Sequence, residues 1–218
     1  LMFAGDEEAI YIAMRVLLRP GDHVIVTWPG YQSLYEVARS LGADVSLWPL
    51  LPDAGGWRVD LAALRAAMRP ATRLIVTNFP HNPTGALPSE AEWQAIVDVA
   101  RDAGCYLFSD EVYRLLEYAP QDRLPAAVDC YARALSLGVM SKPFALAGLR
   151  IGWLAAQDRA LLSQFAAYKD YTTICNSAPA EVLALIALRA RERVLARSLG
   201  IIQSNLARVE TFMAEHSD

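Results

Sequence analysis

The sequence predicts an α/β domain, a three-layer sandwich around a mostly parallel central sheet. Short apolar runs alternate with helix-period segments of roughly 8 to 15 residues, the pattern left by strand–helix–strand crossovers. The run at 105–109 is nearly all apolar, as in a strand covered on both faces. Loops after strand ends carry Tyr31, Asn82, Asp110 and Ser141-Lys142, and sheets of this class bind ligands at that edge.

The elements read in order. Residues 1–3 form the tail of a strand. A helix opens at Gly5-Asp6-Glu7-Glu8, with Ala9, Ile10, Ala13, Met14, Leu17 and Leu18 at helical spacing and acids in its first turn. Pro20-Gly21 stops it, a strand follows at 23–28, and Pro29-Gly30-Tyr31 turns into a helix at 33–41. A strand at 44–49 and a loop at 51–56 lead to a short helix at 60–68 with Asp60 as its cap. The strand at 73–77 runs into Asn78-Phe79-Pro80-His81-Asn82-Pro83-Thr84-Gly85, too rich in Pro and Asn for regular structure. Ser89 with Glu92 makes a capping box for a helix ending near Gly104. After the 105–109 strand come a loop at 120–125, strands at 134–140 and 151–155, and a helix from Asp158 to about Tyr168. One long helix is expected over 179–215, wet on one side through Arg189, Arg193, Arg197 and Arg208, and stopping without a cap at His216-Ser217-Asp218.

The chain has 218 residues, 54% hydrophobic and 20% charged, enough for one full-sized core. Net charge is -4 with scattered arginines, so nucleic acid is not an expected partner. Three distant cysteines, Cys105, Cys130 and Cys175, and three histidines argue against a structural metal and fit a reducing, cytoplasmic compartment. No apolar run approaches 18 residues without a charge or a Pro/Gly break, so no membrane span is expected. Both ends read as cut, the first inside a strand and the last on an unfinished helix.

Lys142 sits at the mouth of the apolar 134–140 run. A lysine there is expensive to desolvate as a cation, and an amine with a depressed pKa is what a carbonyl-attacking lysine needs. Arg150, eight residues on, is placed to hold a fixed anion such as a phosphate. The plainer reading has Lys142 snorkelling from a strand end and Arg150 capping a turn. Asp110 follows a buried strand and either pairs with a buried cation, such as a protonated ring nitrogen, or caps the next segment. Tyr113 turns its hydroxyl to the same crevice or is an ordinary half-buried tyrosine, and Asn82 donates to a phenolic oxygen or serves a turn. Tyr31 stacks on a planar ring or is a surface aromatic. The amides of Asp6 and Glu7, at a helix start directly after Gly5, form an anion site that Arg150 and Ser141 complete. All of this fits a phosphorylated aromatic aldehyde.

The motifs Gly5-Asp6-Glu7-Glu8-Ala9, Pro29-Gly30-Tyr31, Asn82-Pro83-Thr84-Gly85, Asp110-Glu111-Val112-Tyr113 and Ser141-Lys142-Pro143 through Arg150-Ile151-Gly152 occur in this order. The spacings are 28 residues from Asn82 to Asp110, 32 on to Lys142 and eight to Arg150. In this the chain resembles the class I/II aminotransferases, pyridoxal-phosphate enzymes of fold type I, over essentially its whole length. The resemblance implies the large cofactor domain at 1–178 and a connecting helix at 179–218 toward a small domain that is absent. It implies pyridoxal 5'-phosphate as cofactor, Lys142 as the Schiff-base and proton-transfer lysine, and Asp110 as partner of the pyridine nitrogen. Tyr113 and Asn82 would donate to the ring 3-oxygen, Tyr31 would stack, and Arg150, Ser141 and the amides of Asp6 and Glu7 would hold the phosphate. It further implies an amino acid and a 2-oxo acid as substrates and a homodimer whose partner completes the site.

Three positions depart from many relatives: Val139 three residues before the lysine, Glu7 in place of a hydroxyl residue and Asp6 in place of alanine. Both carboxylates are therefore expected to point to solvent. Alternatives to transamination are a pyridoxal-phosphate lyase or cyclising enzyme, or a non-catalytic sensing or scaffold domain. A dehydrogenase is disfavoured because no Gly-x-Gly-x-x-Gly run is present.

Overall fold

The computed structural model describes residues 1–216. Of the expected stop at His216-Ser217-Asp218, His216 follows the last helix and Ser217-Asp218 lie outside the described residues. Strand β1 (Met2–Phe3) precedes α1 (Asp6–Leu17), β2 (His23–Trp28), α2 (Ser33–Ser40) and β3 (Asp44–Pro49). Then come β4 (Leu51–Asp53), β5 (Gly56–Arg58), α3 (Leu61–Ala67), β6 (Thr72–Asn78), α4 (Glu90–Asp102) and β7 (Tyr106–Asp110). The chain continues through α5 (Ala127–Cys130), β8 (Ala134–Val139), β9 (Gly152–Ala156) and α6 (Arg159–Lys169) to α7 (Ala178–Arg189) and α8 (Arg191–Glu215).

Seven strands form one sheet in the order β1-β9-β8-β7-β6-β2-β3. The five from β3 to β8 run parallel, while β9 is antiparallel to both β8 and β1. The sheet is covered on both faces, and the two-residue strand period sorts its side chains between them. Val24, Val26, Leu74, Val76 and Phe108 face a core with α1, α2 and α6. Ile25, Ile75 and Leu107 face the opposite core, built with α3 and α4. This is the expected three-layer sandwich.

Local chemistry explains the helix starts. Asp60 and Asp158 accept the amides of Ala63 and Leu161 at 2.9 and 3.0 Å. The capping box at α4 is complete: the Glu92 amide donates to Ser89 Oγ and the Ser89 amide to Glu92 Oε2.

Two segments differ from expectation, and one short helix is added after a loop that is exposed as expected. The 51–56 loop is instead the start of a hairpin, β4 with β5, turning through Ala54-Gly55. The solvent loop at 120–125 leads into the short α5, whose Ala127 amide donates to the buried Glu111 carboxylate at 2.9 Å. The single helix over 179–215 breaks at Ala190, with φ −99° and ψ 19°. No Gly or Pro marks this break; packing causes it. Ala180, Ala184 and Ala187 of α7 bury against Met140, Phe144 and Ile151, and the bend brings Val194 and Leu195 of α8 back onto the same cluster. Among the described residues no helix is long and apolar enough to cross a membrane.

Candidate active site

The C-terminal ends of β2, β6, β7 and β8 lie along one sheet edge because these strands are parallel neighbours. Tyr31 follows β2, Asn82 follows β6, Asp110 is the last residue of β7, and Ser141-Lys142 follow β8. Antiparallel β9 begins at this edge, since Gly152 pairs with Val139, and β1 ends there, since Phe3 pairs with Gly152. Arg150 and the Gly5 turn thus join the same crevice. The topology gathers every residue that the sequence singled out.

Asp110 is the sealed part of the site, 3% exposed. Its Oδ1 accepts the Val112 amide at 3.1 Å. Burial pushes its carboxyl up to about 7, the nearby charges of Asp6 and Glu111 add to the rise, and the Val112 amide and the Lys142 ammonium oppose it. A buried acid with one hydrogen bond of its own is suited to a cationic partner that enters the crevice.

Lys142 is exposed, with Nζ 5.5 Å from the centroid of the Tyr113 ring. The burial expected at this lysine is absent, because β8 ends at Val139 and the chain turns outward after the buried Met140. Tyr113 itself is half-buried. Asn82 and Tyr113 also line a cavity of about 500 Å3, together with His81, Leu116, Tyr118 and Ile202. That is within the usual range for a small-molecule pocket.

Around Gly5 the site is shaped for an anion. Gly5 has φ 94°, a conformation other residues rarely adopt, and a Cβ there would overlap the Arg150 guanidinium. A Cβ on Gly152 would come within 2.7 Å of the Gly5 backbone, so β9 and this turn are in direct contact. Arg150 has left-handed backbone at φ 51°, a strained state that aims the side chain across Gly5. No side chain caps the start of α1, so its first amides remain free. Ser141 Oγ is buried with no hydrogen-bond partner. An orphaned hydroxyl, free helix amides and an arginine over a glycine cradle are the donors that a phosphate requires. The residues present therefore fit pyridoxal phosphate.

The carboxylates at this turn make one contact that the sequence did not suggest, an exposed hydrogen bond. Glu7 Oε2 accepts the Tyr31 hydroxyl at 3.1 Å, so this acid spans toward the β2 loop instead of facing solvent alone. Asp6 is half-buried and its charge is felt at Asp110. Tyr31 is 41% exposed, and burial with the Glu7 charge raises its phenol above the ordinary value.

Two residues were given no part by sequence reasoning. Glu8 fastens the phosphate-side turn: it accepts the Ala4 amide at 2.6 Å and the Thr172 and Thr173 hydroxyls at 2.6 and 2.7 Å, with Lys169 Nζ at 3.5 Å. These pull its carboxyl below the ordinary value against the opposing effect of burial. The third acid of the Gly5-Asp6-Glu7-Glu8 run was its only signal. Asn78 is fully buried and bonds both Asp110 and Asn82. An amide side chain closing an apolar strand was the available clue.

The family model for aminotransferase class I and II matches residues 1–214. The chain belongs to the class I and II aminotransferases. It is 36% identical to capreomycidine synthase of Streptomyces vinaceus over 94% of its length, covering 52% of that protein. Against the probable N-succinyldiaminopimelate aminotransferase DapC of Mycobacterium tuberculosis it is 33% identical over 99%, covering 54%. A pyridoxal-phosphate-dependent aminotransferase from Streptococcus suis superposes with a TM-score of 0.91 at 35% identity, over 99% of this chain and 56% of that one. The chain spans about half the length of the curated relatives it matches. Family membership brings pyridoxal phosphate as the cofactor.

Proposed function

We propose that this chain is the cofactor-binding part of an enzyme that moves an amino group from an amino acid to a 2-oxo acid. The observation that carries the reading is the meeting of Lys142, the sealed Asp110 and the Arg150–Gly5 cradle at one sheet edge. Bound pyridoxal phosphate supplies an aromatic ring that delocalises the electron pair left when an amino acid loses its α-proton.

The protein's residues do the rest. Asp110 holds a proton on the ring nitrogen, and a carboxyl raised by burial loses that raise once a cation sits against it. Asn82 and Tyr113 donate to the ring oxygen, and Tyr31 packs on the ring face. Arg150, Ser141 Oγ and the amides of Asp6 and Glu7 grip the phosphate. Lys142, exposed beside Tyr113, would hold the cofactor through its aldehyde group. Freed by an incoming amino acid, the Lys142 amine would act as the base that takes the α-proton and as the acid that gives it back.

Residues 1–178 serve as the large domain, and 179–218 lead toward a small domain that closes on the substrate. A homodimer is supported by the exposed apolar side of α7, where Val182 and Ile186 are more than half exposed. A reducing, cytoplasmic setting is supported by the three free cysteines.

A second reading is favoured by the names among the relatives. Capreomycidine synthase is one, and a pyridoxal-phosphate-dependent cyclase, OrfR, superposes at 31% identity with a TM-score of 0.89. In that reading the same residues serve elimination or ring closure on a substrate side chain. Mixing the loaded protein with an amino acid alone separates the two. Amino transfer yields 2-oxo acid stoichiometric with cofactor and bleaches its visible band. Catalytic ammonia release or a cyclic product with the band retained overturns transfer in favour of the second reading.

A further inference from the structure

Asn78 closes β6 directly opposite Asp110 in the parallel register with β7. Its side chain is 0% exposed, and both of its polar ends are used. Nδ2 donates to the backbone oxygen of Asp110 at 3.1 Å, and Oδ1 accepts the backbone amide of Asn82 at 2.9 Å. The same Asp110 oxygen also accepts the Phe79 amide at 3.2 Å. One side chain thus ties the strand end that carries Asp110 to the loop that carries Asn82.

We infer that Asn78 is a positioning residue of the cofactor site, fixing Asp110 and Asn82 relative to each other across one bound ring. The inference rests on the reading above, in which Asp110 meets the ring nitrogen and Asn82 the ring oxygen. Both contacts would be made to one rigid ring, so a group that sets the distance between Asp110 and Asn82 sets both at once.

Chemistry narrows what can stand here. The position needs a donor and an acceptor on one short planar group, and among side chains of this length only asparagine offers both. Aspartate lacks the donor when ionised, leucine has neither end, and glutamine is one methylene too long for a close-packed site. Without the amide, the Asn82 N–H loses its partner, and a buried group left unsatisfied drives the loop to rearrange. Donors at a working site must stay within about 0.5 Å of their productive positions, a tolerance that such a rearrangement exceeds.

The test compares the purified protein with Asn78→Ala and with Asn78→Leu, which removes both bonds while keeping the number and branching of the side chain's heavy atoms. Three quantities are read: the dissociation constant for pyridoxal phosphate, the pH midpoint of the bound cofactor's visible absorbance, and the thermal midpoint without cofactor. Positioning gives about tenfold weaker binding and a displaced pH midpoint in whichever variant folds. Variants that melt lower yet bind and titrate like the parent overturn the inference and leave Asn78 a purely structural residue.

Failure of the functional reading looks different. The parent itself then shows no visible band that borohydride abolishes. Positioning is in that case judged on the cofactor-free protein, by the NMR titration of the Asp110 carboxyl and the exchange rate of the Asn82 amide. A lower Asp110 midpoint together with faster Asn82 exchange in Asn78→Leu supports the inference, and an unchanged pair refutes it.

Discussion

Asp110 and Lys142 follow neighbouring parallel strands, β7 and β8, and the fold treats them in opposite ways. The carboxyl is sealed and pushed up to about 7, whereas the lysine stands exposed over the ring of Tyr113. The difference divides the site into an inner half that the sheet builds by itself and an outer half that is open. Asp110 is anchored through its backbone by Asn78 and through its carboxylate by Val112. Lys142, Tyr31 and Arg150 are exposed and depend on whatever sits in the crevice. Substitutions in the inner half should therefore alter the apoprotein, and those in the outer half should be felt only once cofactor is present.

The largest effect is expected at the open lysine. Lys142→Ala should lower amino transfer by about 10^4-fold or more, since it removes both an attachment point and a proton carrier. Its thermal midpoint should stay within a degree or two of the parent, roughly the effect of a neutral surface change. A large loss of stability would place Lys142 in the inner half instead.

Asp110→Asn should show the reverse pairing: activity falls by about 10^2-fold or more, yet the cofactor-free protein becomes more stable. The sign follows from the raised carboxyl. Between the ordinary 3.8 and about 7 the folded state keeps a proton that the unfolded chain releases, so stability declines as pH rises through that window and stays low above it. The asparagine removes the slope, with a gain of about 2 kcal/mol or more at pH 8. Melting curves from pH 4 to 8 check this, and parallel curves for parent and variant would refute a sealed acid.

Smaller effects belong to the cradle. Arg150→Lys should weaken pyridoxal phosphate about tenfold, because the lysine cannot make the paired contact, while unphosphorylated pyridoxal binds as before. Gly5→Ala should do the same and also destabilise the fold by about 1–3 kcal/mol, since its φ of 94° disfavours a side chain. Equal losses for both ligands would remove the phosphate from this turn. Glu7→Gln should matter least, within about threefold, because it touches one exposed hydrogen bond to Tyr31.

Much of this was legible in the sequence, and the exceptions have physical causes. Apolar period and cap chemistry are local, so α1, the Ser89–Glu92 box and the parallel strands β2, β3, β6 and β7 were readable within a residue or two. The convergence of Tyr31, Asn82, Asp110 and Lys142 was readable too, because parallel strands put their C-terminal ends on one edge. What was not readable depends on distant partners. The break at Ala190 has no Gly or Pro and comes from α7 and α8 sharing one apolar cluster. The exposure of Lys142 depends on what covers the edge, which strand pattern does not specify. Asn78 looked like loop because its neighbours are Pro and Asn, while β7 pairs it into the sheet. Glu7 was expected in solvent, and only the fold shows Tyr31 within reach.

The most direct measurement is borohydride reduction of the purified protein with pyridoxal phosphate, followed by peptide mass mapping. One phosphopyridoxyl group should appear, on Lys142, and it should be absent from Lys142→Ala and diminished in Arg150→Lys. Modification of the buried Lys169, or of no lysine at all, would contradict the assignment of this sheet edge as the active site.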